Sequence, residues 1–414
     1  MVKIAESSKK IVGTISEKSL PKVAVIGSYV PKKCGIATFT NNLITYMQKI
    51  TPMDLFVVAA EEKEKLSYGS NVKIVVDTAS KESYLRAAEA LRHFKPDVIL
   101  LQHEYGIYGG KWANFRIKGM DYRTPTGNYL LDLLEGVNAP IITTLHTVLP
   151  HLDAERSKVL AEIAARSCKI ILMTEQSKGV IIHQWPAIAR KTTFIPHGVE
   201  LKEKNEARSK ILKRLKLPDD KFYLMVSGLI GPNKNIEAII KTLPDLVAEY
   251  PQIQLLVVGQ THPQIIKNAG EQYRKSLKKL ARDLGVSQHV RFVNKYISSE
   301  LLLDYLAISD VYLTIHNDPE QSASGTLAYA VGNGLVSIST PYAYARELLS
   351  KNRGLLVPFN NSEAIGAAII LLITNQRLYK TIRLNATKYG KEMGWDRVAE
   401  AYWKIIDDAL PKSV

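Results

Sequence analysis

The feature that most constrains this chain is a repeated alternation of short apolar runs with amphipathic stretches. "KVAVIGSY" (22–29), "DLFVVAA" (54–60), "VKIVVD" (72–77), "DVILLQHE" (97–104), "PIITTLHT" (140–147), "CKIILMTE" (168–175) and "TTFIPHG" (192–198) read as strands. Helical periodicity fills many of the gaps, for example Tyr84 to Phe94 and Ala154 to Arg166. Continuous apolar strands separated by helices specify a parallel sheet covered on both faces. The pattern then restarts with "FYLMVSG" (222–228), "IQLLVVGQ" (253–260), "VRFVNKY" (290–296), "DVYLTIH" (310–316), "LVSIST" (335–340) and "RGLLVPF" (353–359). Between the two series, the highly charged residues 199–221 carry no strand pattern and read as an interdomain crossing. The expected fold class is α/β, with two Rossmann-like doubly wound parallel-sheet domains, 22–198 and 222–392, facing a central cleft. Such sheets bind ligands beyond the carboxyl ends of their strands, so the site is expected in that cleft.

Composition narrows the class further. The 414 residues are 46% apolar and 23% charged, which suits two soluble globular domains. The longest apolar run, "AIGAAIILLI" (364–373), is about half of what a membrane span needs and reads as a buried helix. Residues 1–21 form a polar extension without the apolar segment of a signal peptide. Cys34 and Cys168 make neither a disulfide framework nor a metal spacing, and the expected compartment is a reducing cytoplasm. The net charge of +15 attracts nucleotides, phosphorylated substrates, nucleic acid or anionic lipid alike. Part of it lies in "YRKSLKKLARDLG" (273–285), where Tyr273, Leu277, Leu280 and Leu284 form one stripe and Arg274, Lys275, Lys278, Lys279 and Arg282 lie elsewhere. A solvated face is the plainer reading, and a patch touching an anionic membrane is the sharper one. Nucleic acid is not expected as a partner, because the aromatic residues of a stacking platform are missing.

Several strand ends carry chemistry. After the first strand, Gly27 and Gly35 bracket a loop, and a helix is expected from Ile36 or Ala37. Bare N–H groups at such a helix start favour anions; a tight turn with a packing glycine is the alternative. His103 and Glu104 end one strand and His146 the next, where residues face a cleft. None of them has zinc-ligand spacing. "GLIGPNKNIE" presents Lys234 at a helix start, against the helix dipole, unless an anion compensates it. Lys234 is thus either a phosphate ligand or an exposed lysine. Residues 316–334, "HNDPEQSASGTLAYAVGNG", pass from a strand into small residues before a buried helix. Ser324, Gly325 and Thr326 suit a phosphate cradle or an ordinary helix cap. Glu320 and Gln321 stand beside them as polar ligands for hydroxyl groups.

In order, "PKKCGIATFT", "HEYGIYGG", "TLHT", "FIPHGVE", "GLIGPNKNIE", "VVGQTHP", "VRFVNKYIS", "SDVYLTI" and "SGTLAYAVGNG" resemble retaining glycosyltransferases of family 4, which have the GT-B fold. The wording is nearest the mannosyltransferase-like branch. The resemblance implies transfer of a hexosyl group, mannosyl from GDP-mannose being one case, from a nucleotide-sugar to a saccharide or lipid-linked acceptor with retention. It implies a donor on the second domain, an acceptor on the first, and a C-terminal helix, 393–414, that returns to the first domain. No D-x-D occurs, so neither a metal-bound diphosphate nor a cofactor is expected. A lipid-linked acceptor would place the protein at the inner face of a membrane.

Carried onto this chain, the resemblance makes His146, Gln321 and Lys234 the catalytic set. Gly231, Glu320, Ser324, Gly325, Thr326, Tyr329 and Asn294 are expected at the donor, and Gly35, Ile36, His103 and Glu104 at the acceptor or cleft. Three departures stand out. The family's phosphate-binding arginine corresponds to Leu229, and its glutamate pair to Gln321 and Tyr329, in the register that keeps Ala330 and Gly334 aligned. A register one residue earlier saves Glu320 but puts Ala328 in the second place. The family's first-loop glycines become Cys34 and Gly35. A GT-B glycoside phosphorylase and a non-catalytic sugar-binding or nucleotide-binding homologue are the alternatives.

Overall fold

The computed structural model describes residues 20–61, 66–117, 120–203 and 206–411. The extension expected over 1–21 lies outside the described residues except for its last two. The first sheet is built from β1 (Lys22–Gly27), β2 (Asp54–Glu61), β3 (Val72–Asp77) and β4 (Val98–His103). After an antiparallel hairpin of β5 (Trp112–Ile117) and β6 (Met120–Pro125), it continues with β7 (Ile141–Leu145), β8 (Ser167–Leu172) and β9 (Thr192–Phe194). The second contains β10 (Phe222–Ser227), β11 (Ile253–Val258), β12 (Val290–Val293), β13 (Val311–Thr314), β14 (Val336–Ser339) and β15 (Leu355–Leu356).

Strand orders are β3-β2-β1-β4-β7-β8-β9 and β12-β11-β10-β13-β14-β15, parallel throughout. The order reverses between β1 and β4 and again between β10 and β13, and a doubly wound sheet opens a ligand crevice at each reversal. Both central strands are apolar on both faces: Val23, Ala24, Val25 and Ile26 are buried, as are Tyr223, Leu224, Met225 and Val226. This is the GT-B arrangement.

Most strands are shorter than their sequence pattern predicts, and the two shortened most, β9 and β15, lie at sheet edges, where a strand has one neighbour to pair with and the chain leaves the ladder early. The charged 199–221 segment is also more than a crossing. It contains the helix Arg208–Leu215, whose Ile211, Leu212 and Leu215 enter the second domain's core beside Val199 and Leu217. The helical spacing of those three residues explains it.

The chain passes between the domains beside a second passage. Val199 N donates to Met393 O at 2.8 Å and Trp395 N donates to Val199 O at 3.1 Å. The closing helix, Trp395–Ala409, then buries Trp395, Val398, Ala399, Tyr402 and Ile406 in the first domain's core, alongside Phe39, Leu43 and Met47 of the first helix (Gly35–Ile50). Among the described residues no helix is long and apolar enough to cross a membrane.

Candidate active site

A cavity of about 690 Å³ opens between the two domains. Its walls come from strand ends. On the first domain they are Gly35 and Ile36 after β1, Glu104 after β4, His146 after β7 and His197 after β9. On the second they are Gly228 after β10, Gln260 and His262 after β11, and His316 after β13. Gln321 and Ser324 to Thr326 lead into the helix Gly325–Gly332, from which Tyr329 reaches the same space.

The floor of the second-domain wall is set by two glycines. Gly228 has φ +111° and Gly259 has φ +134°, and a Cβ on Gly259 would lie 1.9 Å from Gly228 O. Only glycine permits that conformation and that approach. The space above Gly228 is taken by Lys234, whose Nζ lies 3.2 Å from where a Gly228 Cβ would stand. Lys234 is 8% exposed, so the exposed-lysine reading fails. Burial alone lowers its pKa to about 8. Ser324 caps the helix that follows, its side chain accepting from Leu327 N at 3.4 Å. Ser324 is thus a helix cap that also lines the cavity.

The imidazoles of the cleft are neutral. Burial is the main cause in each case, lowering His146 to about 3, His197 to about 4 and His316 to about 3. His146 Nε2 donates to Gln102 Oε1 at 2.8 Å, which leaves Nδ1 as an acceptor. His197 Nδ1 donates to Gly198 O at 2.7 Å. Phe39 packs edge-on against both rings. Glu104 accepts from Thr147 Oγ1 and from Tyr105 N, yet burial outweighs those bonds and raises its pKa.

Four of the expected site residues do not line this cavity. His103 ends β4 on the opposite face from Gln102, because side chains alternate along a strand; it stacks on Tyr108 in the core. Asn294 is exposed and donates to Glu271 Oε1 at 3.1 Å, outside the cleft. Glu320 is exposed in the loop before Gln321, where its N–H donates to Asp318 Oδ1. Gly231 is buried, and a Cβ there would meet Ile265 at 2.7 Å, so its small size serves packing. Gln321, half-buried, donates to Ala323 O at 3.0 Å. Tyr329 accepts from Asn42 Nδ2 of the first domain at 3.4 Å, and burial followed by the Glu200 charge raises its pKa to about 12. Leu229, at the place of the family's arginine, lines the cavity as an apolar group.

Residues that sequence reasoning passed over also line it. His197 and His316 lie beyond strand ends, and the rule that flagged His146 would have found them. Asn42 sits within a helix and carries no such signal. The basic helix Gln272–Asp283 is a further correction: Arg274, expected on its polar face, is 3% exposed. Its Nη2 donates to Gly259 O at 2.8 Å, which braces the glycine floor of the cleft. Among the described residues no cluster of three or more His, Cys, Asp or Glu side chains is arranged to hold a metal ion.

Comparison with known proteins bears on this geometry directly. Residues 207–389 match the family described as glycosyl transferases group 1. The matched residues lie in the last part of the charged crossing and in the second domain. The chain is similar to D-inositol 3-phosphate glycosyltransferase of Streptomyces bingchenggensis, 24% identical over 292 residues, which are 66% of this chain and 62% of that protein. The match thus spans less than two thirds of that relative's length. It is also similar to alpha-monoglucosyldiacylglycerol synthase of Streptococcus pneumoniae, 24% identical over 92% of this chain and 84% of that one. Phosphatidyl-myo-inositol mannosyltransferase of Mycolicibacterium smegmatis is 24% identical over 66% of each chain. Among solved structures, Anabaena HepE in complex with UDP and glucose superposes with a TM-score of 0.69 at 16% identity, covering 94% of this chain and 100% of that one. Sucrose-phosphate synthase from Thermosynechococcus elongatus does so with a TM-score of 0.71 at 17% identity, covering 94% and 98%. The solved structures share the GT-B fold, and the sequence matches carry the resemblance to glycosyltransferases of family 4.

Proposed function

We propose that the chain is a retaining glycosyltransferase that moves a hexosyl group from a nucleotide-sugar to a hydroxyl of a saccharide or lipid-linked acceptor. The observation that carries this is Lys234, a buried cation set against the glycine floor and the start of the helix Gly325–Gly332. A buried ammonium without a carboxylate is costly, and a diphosphate in the cleft would relieve that cost. The same groups would stabilise the charge that builds on the diphosphate as its bond to the sugar breaks. The acceptor oxygen then bonds to the anomeric carbon on the face the diphosphate leaves, and its proton passes to a diphosphate oxygen. Neutral His146 suits a hydrogen bond to the sugar, and Glu104, beside it on the first domain's wall, suits one to the acceptor. The transfer would need no metal. Mannosyl from GDP-mannose is our first candidate, in keeping with the mannosyltransferase relative, and UDP-glucose, bound by HepE, is the second. The protein would work in the cytoplasm, at the inner membrane face if its acceptor is a lipid.

One observation favours a second reading. Gln321 and Tyr329 stand where the resemblance implies two carboxylates, and Tyr329 is already engaged by Asn42. A homologue that binds donor without turnover would look like this. Incubation with GDP-mannose, UDP-glucose and ADP-glucose, following nucleoside diphosphate release, separates the two. Release that depends on an added sugar or lipid acceptor supports transfer, whereas binding without release supports the silent homologue. Sugar phosphate formed from orthophosphate with no nucleotide would instead identify a phosphorylase.

A further inference from the structure

His316 belongs to no expectation drawn from the sequence or the family resemblance. It is 3% exposed, it lines the cavity, and its Nδ1 is buried without a hydrogen-bond partner. Unsatisfied buried polar atoms are uncommon in folded proteins and call for an explanation such as a water, an ion or a functional role. The backbone around it is engaged on both sides. His316 O accepts from Thr340 Oγ1 at 2.6 Å, and the next N–H, of Asn317, donates to Asn233 O at 3.3 Å. The Tyr342 ring meets the imidazole edge-on at 5.1 Å. The ring is therefore held in place while its Nδ1 is left over.

The charges around it point to an anion. The ionised group acting on His316 is Lys234, and no carboxylate among the described residues offsets it. His262, on the β11 loop of the same wall, also feels Lys234. The Tyr342 hydroxyl pairs with Thr314 and stays neutral. The second cation that the resemblance implies at this wall is absent, because Leu229 occupies its place.

We propose that His316 is the second cationic ligand of the diphosphate subsite, neutral in the empty cleft and protonated when a diphosphate lies between it and Lys234. This rests on the nucleotide-sugar reading above and names the residue that completes it. One proton is taken from solvent for each diphosphate bound, and no covalent bond changes. In the empty cleft Lys234 and burial together oppose the imidazolium, and its pKa lies near 3. A diphosphate reverses the sign of the local field. The chain would thus gain a binding cation that appears only with its ligand.

The test is calorimetric titration of the full chain with UDP, GDP, ADP and inorganic pyrophosphate in two buffers of different ionisation enthalpy. Proton uptake close to one is expected near pH 7, with affinity falling about tenfold per pH unit once the ligand itself is fully ionised. His316→Gln should abolish that uptake and weaken binding roughly ten- to a hundredfold. Uptake that begins only near pH 8 belongs to Lys234 and should survive in the variant. Histidine-labelled wild-type protein provides a readout that needs no variant: one ring signal should move to the imidazolium position on adding pyrophosphate. Tight binding with no proton uptake and no moved ring signal would overturn the role of His316 and leave the donor reading intact. Failure of all four ligands to bind would overturn both.

Discussion

Lys234 shows how a single buried charge links stability to function. Its pKa falls from 10.5 to about 8 on burial, so between those values the unfolded chain holds more protons than the folded one. Stability contributed at this position therefore rises with pH from about 8 to 10.5, and the cost of the charge is fully present at neutral pH. Lys234→Met is expected to raise the unfolding free energy by about 3 kcal/mol at pH 7. The difference from wild type should narrow to under about 1 kcal/mol by pH 10, as denaturant titrations at the two pH values will show. The same substitution should lower glycosyl transfer at least about a hundredfold, the scale of losing one preorganised charge at a reacting centre. Gain in stability with loss of turnover is the signature of a functional cation; loss of both would mark Lys234 as structural. The sequence indicated Lys234 through its place at a helix start, but not its burial, which depends on Gly228 and Gly259 meeting across two strands.

Between elements, the two domains are joined by a few directional contacts. Glu347 caps the helix Glu175–Gln184 from the other domain: its two carboxylate oxygens accept from Glu175 N and Gln176 N, each at 2.8 Å. A carboxylate at a helix N-terminus is favoured by both the free N–H groups and the dipole. Val148 N donates to Ser322 Oγ at 3.0 Å, and Asn42 reaches Tyr329. Glu347→Gln is expected to weaken this contact between the domains by about 0.5–1 kcal/mol. Small-angle scattering should then report a larger radius of gyration without ligand, with thermal stability of each domain unchanged. None of these contacts was legible in the sequence, since each pairs residues more than 170 positions apart. By contrast, the helix Ala154–Arg166 falls where its periodicity put it, and Asp153 caps it as such a residue should.

For the whole molecule, the passage at Gly198–Val199 beside Gly394–Trp395 is where the chain crosses twice between the halves. A Cβ on Gly198 would stand 2.3 Å from the Trp395 ring, so the chain can pass there only without a side chain. Gly198→Ala should displace that ring and cost about 1–3 kcal/mol, the usual penalty of overpacking, seen as a lowered melting temperature. Because Trp395 sits in the first domain's core and lines the cavity, donor affinity should fall with it. The sequence by itself determined the two-domain α/β plan, the parallel sheets and the strand ends at which the cleft forms. Those follow from local hydrophobic periodicity, which each segment carries on its own. Only the tertiary structure decided which strand-end residues meet. Gln102 and His103 are neighbours in sequence, yet one hydrogen-bonds to His146 at the cleft and the other is lost to the core. His316, unremarked in the chain, becomes an unpaired polar group beside Lys234. Burial, alternation and the approach of two separate sheets are properties of the packed whole, and the chemistry of the cleft is set there.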